Sequence, residues 1–426
     1  MESQKNSPQK ILIVGGGFGG LAAAKALAHR KDVQVLLIDR RNHHLFQPLL
    51  YQVATAGLSP ADIAMPIRAV LSNYKNVEVI MAEVLEINRE KNFVRTADNL
   101  QFFFDHLILA TGSSHSYFGH PEWQMHAPGL KTIEQATEIR RRVLSAFEEA
   151  EKKTNPEEIR RALTFVVVGG GPTGVELAGS LAELSRVTLS RDFRRIDPTR
   201  ARIILIEAGA RILSMFDESL SRRATRDLEN LGVQVWTSSR VAEVSAEGVK
   251  VGQDFIAAPS VFWAAGVTPS PLGRLLQTPL DASGRVRVDE NLRALQTENI
   301  FVIGDLAHFV DQKTGTALPG LAPVALQQGR HAARQILRRL DRTELKPFVY
   351  LDKGMMATVG RKKAVLQVKS WRQSGFLAWL AWLVVHIFFL IGFKNRVAVL
   401  LQWAWSYLTY KRGARLIVSR EWMNSQ

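Results

Sequence analysis

Ile11-Leu12-Ile13-Val14-Gly15-Gly16-Gly17-Phe18-Gly19-Gly20 is the stretch whose reading decides the fold. Ile11–Val14 is wholly apolar and mostly β-branched, the pattern of a strand buried on both faces of a parallel sheet. Gly15, Gly17 and Gly20 then supply G-x-G-x-x-G, and Leu21–Ala28 opens a helix of strong helix formers. Val33–Ile38 gives a second apolar strand, which ends on Asp39, 19 residues past Gly20. Glycines permit the tight turn and let a pyrophosphate approach bare backbone, while the helix N-terminus offers free N–H groups and a positive dipole end. The Asp39 carboxylate suits the hydroxyls of an adenosine ribose. A glycine-rich turn alone would be ordinary; the strand before it, the helix behind it and the acid beyond it predict a dinucleotide site.

The same pattern recurs. Ala162–Val168 is another apolar strand, Gly169, Gly171 and Gly174 repeat G-x-G-x-x-G, and Val175–Ala178 begins the helix behind them. The matching acid, Glu207, closes Ala201–Ile206 and lies 33 residues past Gly174. An Arg-rich segment, Arg186 to Arg200, accounts for the extra length as an insertion between helix and strand. Two dinucleotide sites in one chain narrow the function, because one bound flavin and one exchanging nicotinamide make a redox pair.

A chain of 426 residues calls for two to three domains, and 46% hydrophobic with 22% charged residues is ordinary for a globular protein. There is no cysteine, which excludes a disulfide framework, a thiolate zinc site and a redox-active dithiol. His43, His44 and His106 have no acidic partner at catalytic or metal-ligand spacing and read as structural; no metal site is expected. Polar Met1–Lys10 leaves no room for a signal peptide before the first strand, so a protein that stays on the cytoplasmic side is expected.

The net charge of +15 is concentrated: from Lys346 to Gln426 thirteen Lys/Arg stand against Asp352 and Glu421 alone. Six of the nine tryptophans (Trp371, Trp379, Trp382, Trp403, Trp405, Trp422) lie in that tail. Trp and apolar residues interleaved with Lys/Arg suit an anionic membrane surface better than nucleic acid, for which no motif is present. Phe376–Phe393 is 18 residues without formal charge, a borderline length for a membrane span, with His386 unfavourably near its middle. In Val397–Tyr410, Val397, Leu400, Leu401, Ala404, Trp405 and Leu408 share one face opposite Gln402, Ser406 and Thr409. Lys411, Arg412 and Arg415 follow. This predicts a helix lying in the membrane interface.

Elsewhere, Arg40–Thr55 is mixed polar and aromatic, suiting either a loop and short helix over a flat cofactor or a plain surface connection. Val77–Asn88 and Phe93–Thr96 alternate like strands. Gln101–Leu109 predicts one strand running into Ala110-Thr111-Gly112, where backbone passes close to something, and Ser260–Val267 mirrors it through Ala264-Ala265-Gly266. Lys131–Lys153 predicts a long amphipathic helix, and Leu220–Leu231 another. Asn299–Asp305 is a buried strand closing on Gly304-Asp305; the Asp305 carboxylate suits a ribitol hydroxyl or a helix N-cap. From Pro319 a helix runs to about Leu340 and returns the chain to its first domain.

In order and spacing this set resembles the two-dinucleotide-binding-domain flavoproteins built like glutathione reductase. Within them, Asp39–Gln52, Gly171–Ala178 and Ala325–Gly329 resemble the type II NADH dehydrogenases, non-proton-pumping NADH:quinone oxidoreductases. The resemblance implies an α/β fold with two Rossmann-like dinucleotide-binding domains, the second inserted into the first, plus a C-terminal helical membrane-association region. The expected boundaries are 1–120 and 290–345 for FAD, 121–289 for NADH and 346–426 for membrane anchoring on the cytoplasmic face of the inner (plasma) membrane. The resemblance further implies that Gly15, Gly17, Gly20, Asp39, Ala110, Thr111, Gly112 and Asp305 hold FAD and that Gly169, Gly171, Gly174 and Glu207 hold NADH. It places Glu176 near flavin and quinone, and Gln327 and Gln328 beside the isoalloxazine. Many members have Gln where this chain has Pro323, so a quinone contact made by that Gln is absent here. Glu176 reads as a proton relay to the quinone or as a first-turn acid favoured by the helix dipole. Glu207 repels a 2′-phosphate and favours NADH, with Arg211 able to offset part of that repulsion. The tail is expected to attach to one membrane face, with Phe376–Phe393 lying on the lipid or packing in a homodimer. Two other readings compete: a reductase of a soluble carrier of ferredoxin or rubredoxin type, and a non-enzymatic flavin-binding membrane redox sensor.

Overall fold

The structure is a computed structural model that describes residues 7–409 and 413–418. Two compact units are built from interleaved segments. The first comprises Met1–His44, Met65–Ser114 and Val267–Leu351; the second comprises Leu45–Ala64, His115–Gly266 and Asp352–Gln426. Relative to the boundaries expected from sequence, residues 267–289 belong with the first unit, whereas Leu45–Ala64 and the tail from Asp352 are built onto the second.

In the first unit, Gln9–Val14 sits mid-sheet because every residue from Ile11 to Val14 is buried. The parallel strands run in the order Ile300–Val302, His106–Leu109, Gln9–Val14, Val33–Asp39, Val77–Met81, with Ile13 opposite both Ile108 and Leu37. Alternation along the strand assigns the two faces. Leu12 and Val14 pack into a core with Val84, Ile87 and Val94 of an antiparallel meander. On the other side, helix Phe18–Leu27 packs against helix Ala322–Leu340, where a Cβ at Gly329 would overlap the Gly19 carbonyl.

The single strand expected over Gln101–Leu109 is two. Gln101–Phe103 closes the meander and His106–Leu109 enters the parallel sheet. Between them Phe104 turns into the core and donates its N–H to Asn92 O (2.9 Å), and Asp105 accepts the Lys10 N–H on its carboxylate (2.7 Å).

The second unit repeats the plan. Its parallel strands run Val233–Trp236, Arg202–Ile206, Thr164–Val168, Ser260–Trp263, with Val166 opposite both Ile204 and Val261. Helix Ile133–Glu151 buries Ala136, Ile139, Val143, Ala146 and Phe147, the face expected from its period. The insertion after the second glycine loop begins as a π-helical turn over Leu184–Thr188 and includes a single 3-10 turn at Pro198–Arg200. An antiparallel sheet, Met355–Gly360, Lys363–Val368 and Trp371–Gly375, packs on helix Pro172–Glu183.

The tail differs from the borderline span the sequence allowed. Helix Phe376–Phe389 stops, Leu390 is extended and Gly392 takes φ +89°, and a second helix, Phe393–Thr409, begins. No helix among the described residues is long and apolar enough to cross a membrane. His386 is not spent on hydrocarbon: it turns inward with Trp379 and Trp382, stacks on Trp382 at 4.1 Å, and donates Nδ1–H to the Trp382 carbonyl (2.7 Å). Burial takes its pKa down to about 4, so it is neutral. Tyr410, Lys411, Arg412 and Trp422 lie outside the described residues, and Arg415 pairs with the Asp192 carboxylate.

Candidate functional site: two dinucleotide cradles

The two glycine loops have the same geometry, because the same three steric demands act on each. Gly15 and Gly169 open the turn at φ +106° and +110°, where only glycine is unstrained. A Cβ on Gly15 would overlap the Ala110 carbonyl oxygen, and one on Gly169 would lie 2.7 Å from the Ala264 carbonyl carbon. Gly17 and Gly171 are N-caps at φ −73° and −71°, and a Cβ there would meet nothing within 4 Å, so both point into open space in front of a helix N-terminus. Gly20 and Gly174 lie where a Cβ would overlap the carbonyl oxygen of Gly15 or Gly169, with the carbonyl carbon at 3.0 Å in each case. Turn, open cradle and close helix packing are the three glycine roles of a pyrophosphate site.

The acids repeat too. Asp39 Oδ2 accepts the Gly16 N–H at 2.6 Å and Oδ1 the Arg41 N–H at 2.7 Å; Glu207 Oε2 and Oε1 accept from Gly170 and Gly209, both at 2.6 Å. Each carboxylate is aimed by backbone and keeps lone pairs for ribose hydroxyls. Arg211 is held by carbonyls of its own loop. Its Nη1 and Nη2 donate to the Phe216 and Ser214 carbonyls at 2.7 and 2.9 Å.

In the first unit, Ala110-Thr111-Gly112 ends the strand beside Gly15, and Gly112 takes φ +63°, matched by +67° at Gly266 in the second. Thr111 Oγ1 is buried without a hydrogen-bond partner among the described residues. With the open cradle at Gly17 and the Asp39 carboxylate, this orphaned hydroxyl fits the residues present to FAD. Asp305 is no N-cap: it lies in the turn Gly304–Leu306, and Ser113 Oγ donates to its Oδ2 at 2.6 Å, while the next helix starts at Ala322 behind Leu321. Pro323 occupies the first turn of that helix, where a missing N–H costs nothing.

Gln327 and Gln328 share the helix but do different things. Gln327 clasps Leu351, donating to its carbonyl and accepting its N–H at 3.0 Å each. Gln328 is 1% exposed and accepts the Gly304 N–H at 2.7 Å, holding the turn that carries Asp305. In the second unit, Glu176 lies beyond the first turn, because its helix begins at Pro172 rather than Val175, so it is not a first-turn acid favoured by the helix dipole. The residue is partly exposed, yet protein surrounds its carboxyl, and burial pushes the pKa up to about 8 against one long hydrogen bond from Thr358 N (3.4 Å). The sequence alone does not single out Ser113 or Thr358. Ser113 directly follows Ala-Thr-Gly, whereas Thr358, 182 residues from Glu176, left no local signal.

The chain belongs to the pyridine nucleotide-disulphide oxidoreductase family, whose pattern matches residues 9–329. Within it, the chain groups with the type II NADH:quinone oxidoreductases, enzymes using FAD and NADH. It is 42% identical to type II NADH:quinone oxidoreductase Ndh of Mycobacterium tuberculosis over 97% of this chain and 91% of that protein. It is also 42% identical to NdhA of the same organism, over 96% and 90%. The fold is similar to NDH2 from Plasmodium falciparum in complex with NADH, with TM-score 0.88 and 21% identity, covering 96% of this chain and 100% of that one.

Proposed function

We propose that this enzyme oxidises NADH and reduces a membrane quinone without pumping protons. The observation that carries the reading is the near-full-length 42% identity to relatives named for that reaction, on a chain with two matched cradles. Bound FAD supplies hydride acceptance from NADH and release of two electrons to quinone. The first cradle (Gly15, Gly17, Gly20, Asp39, Ala110, Thr111, Gly112, Asp305) holds FAD, and the second (Gly169, Gly171, Gly174, Glu207) holds NADH. Gln328 fixes Gly304–Asp305, and Glu176 supplies a proton to the reduced quinone. With no cysteine, the disulfide chemistry of the wider family has no carrier here. Purified protein should be yellow, anaerobic NADH should bleach it, and a quinone added in detergent should restore the colour. Bleaching that only a soluble iron–sulfur carrier reverses would replace the quinone by the carrier.

The tail is the lipid contact in this reading. Ala378, Trp379, Trp382 and His386 of the first tail helix, and Val399 and Trp403 of the second, are buried. Leu377, Leu380, Val384 and Phe388 stand 46–67% exposed on one stripe, and Leu400, Leu401 and Trp405 are 45–66% exposed on the second helix. The sequence put a polar stripe opposite this apolar face; apolar anchors lie there as well, which leaves the outer face for the headgroup–acyl boundary of a bilayer. Each large side chain sunk into that boundary contributes on the order of 1.5 kcal/mol. Replacing Leu380, Val384 and Phe388 together by Ser should move the protein from vesicles to supernatant in flotation, with NADH bleaching retained. Unaltered flotation, or loss of a dimer instead, would assign the stripe to another partner.

A further inference from the structure

The Arg-rich insertion between helix Pro172–Glu183 and strand Arg202–Ile206 carries none of the cradle residues, yet it is built to hold a fixed shape. Leu189, Ile196 and Pro198 are buried, and Phe193 stacks on Phe147 of helix Ile133–Glu151 with centroids 5.9 Å apart. Glu151, which ends that helix, accepts the backbone N–H groups of Arg194, Arg195 and Ile196 at 3.0–3.1 Å. Arg186 turns inward and donates to the Gly232 carbonyl at 3.0 Å. The other arginines of the insertion, Arg191, Arg194, Arg195 and Arg200, are exposed. Its two acids are already engaged: Asp197 accepts from Thr199 and lies 3.6 Å from Arg200, and Asp192 pairs with Arg415. Arg191, Arg194 and Arg195 therefore face solvent with no side-chain ion pair among the described residues. The Asp192–Arg415 pair supplies a second observation, because it seats the tail on this loop. The three residues after Arg415, Leu416, Ile417 and Val418, are 70%, 42% and 68% exposed. Three consecutive bare apolar side chains are out of place on a surface that meets only water. Beside unpaired guanidinium groups they fit the boundary of a bilayer, with apolar side chains among acyl chains and arginines on headgroup phosphates.

We propose that the insertion Arg186–Arg200 and the segment Arg415–Val418 form one contact for anionic phospholipid. Arg191, Arg194 and Arg195 take headgroup phosphates, while Leu416, Ile417 and Val418 enter the acyl boundary. The inference rests on the reading of the tail helices as the lipid contact. It adds to that reading the class of lipid and a second element, one that lies in the nucleotide-binding sequence rather than in the tail. It also gives the Asp192–Arg415 pair a role, since that pair holds the basic loop and the apolar segment side by side.

The test is flotation of the full-length protein with vesicles of phosphatidylcholine alone and of phosphatidylcholine mixed with an equal part of phosphatidylglycerol. NADH bleaching and Tm are measured on the same samples. Wild type should partition more strongly into the mixed vesicles, and added salt should remove that excess. Replacing Arg191→Gln, Arg194→Gln and Arg195→Gln together should cost about 100-fold in partitioning into the mixed vesicles, the sum for three arginines at an anionic surface. The same variant should match wild type on phosphatidylcholine alone and keep its bleaching and Tm. Replacing Arg334→Gln, Arg338→Gln and Arg342→Gln removes equal charge around the end of helix Ala322–Leu340 and should leave partitioning close to wild type. Equal losses in the two triple variants would reduce the effect to net charge and overturn the site. So would a first triple variant that floats with mixed vesicles as wild type does. Wild type that floats equally with both vesicles would overturn the class of lipid. Wild type that floats with neither would overturn the lipid reading of the tail itself, a distinguishable failure.

Discussion

Gly174→Ala should give a protein that is yellow but that NADH no longer bleaches, whereas Gly20→Ala should give a colourless one. A helical glycine replaced by alanine ordinarily gains stability, about 0.5–1 kcal/mol. Here the sign reverses for a local reason. A Cβ on Gly174 overlaps the Gly169 carbonyl oxygen, and its carbonyl carbon is only 3.0 Å away; a Cβ on Gly20 meets Gly15 identically. The overlapped atoms are backbone, so no side chain can swing aside, and the helix must back away from its turn. Overpacking of this kind costs roughly 1–3 kcal/mol, or up to about 100-fold in the affinity of whatever the turn holds. Because the overlaps lie in separate units, each variant should damage one cofactor alone. Dissociation constants for FAD and for NADH, measured on both variants, check this. A Gly174→Ala protein that binds NADH normally would show that the second loop does not carry the nicotinamide nucleotide.

That pair also shows what kind of information the sequence held. A glycine is legible when its role is set by neighbours a few residues away: Gly20 against Gly15, Gly174 against Gly169, and an acid at the tip of the next strand. The short buried strands before each loop are legible for the same reason, since Ile11–Val14 and Phe165–Val168 have no polar face to alternate. What escaped depended on contacts distant in the chain. The break at Phe104–Asp105 is made by Asn92 and Lys10, so an apolar run looked like one strand. The start of the helix at Pro172 moved Glu176 out of the first turn, and only folding brings Thr358 to its carboxyl. In the tail, Val397, Leu400, Leu401 and Trp405 of the periodic apolar face are exposed, but the inward face at Val399 and Trp403 depends on the unit they pack against. The carbonyl partners of Arg211, Ser214 and Phe216, lie in an irregular loop with no pattern to read.

Glu176→Gln should leave bleaching by NADH intact, slow reoxidation by quinone by about 100-fold, and erase the alkaline limb of the pH–rate profile. Reduction of a quinone consumes two protons, and a positioned acid typically contributes at least this factor. Burial raises the Glu176 pKa to about 8 from the usual 4.5, so the carboxyl is protonated at neutral pH and can give that proton. The sign of the pH dependence follows. Below pH 8 the acid form is present and turnover with quinone is sustained; as pH rises through about 8 the carboxyl ionises and the rate falls. Glutamine has nothing to lose there, so its lower rate should be flat across the same window. Stability gives an independent reading of the same group. A carboxyl whose folded pKa is raised favours the folded state fully below its unfolded value of 4.5, and that contribution is lost as pH rises through 8. Glu176→Gln should therefore gain Tm over the wild type at pH 9 and match it at pH 4. If Tm shifts in this way while the quinone rate does not, the carboxyl is buried for packing and the proton reaches the quinone by another route. If the rate falls at every pH without losing the alkaline limb, a different acid titrates and Glu176 orients the quinone instead.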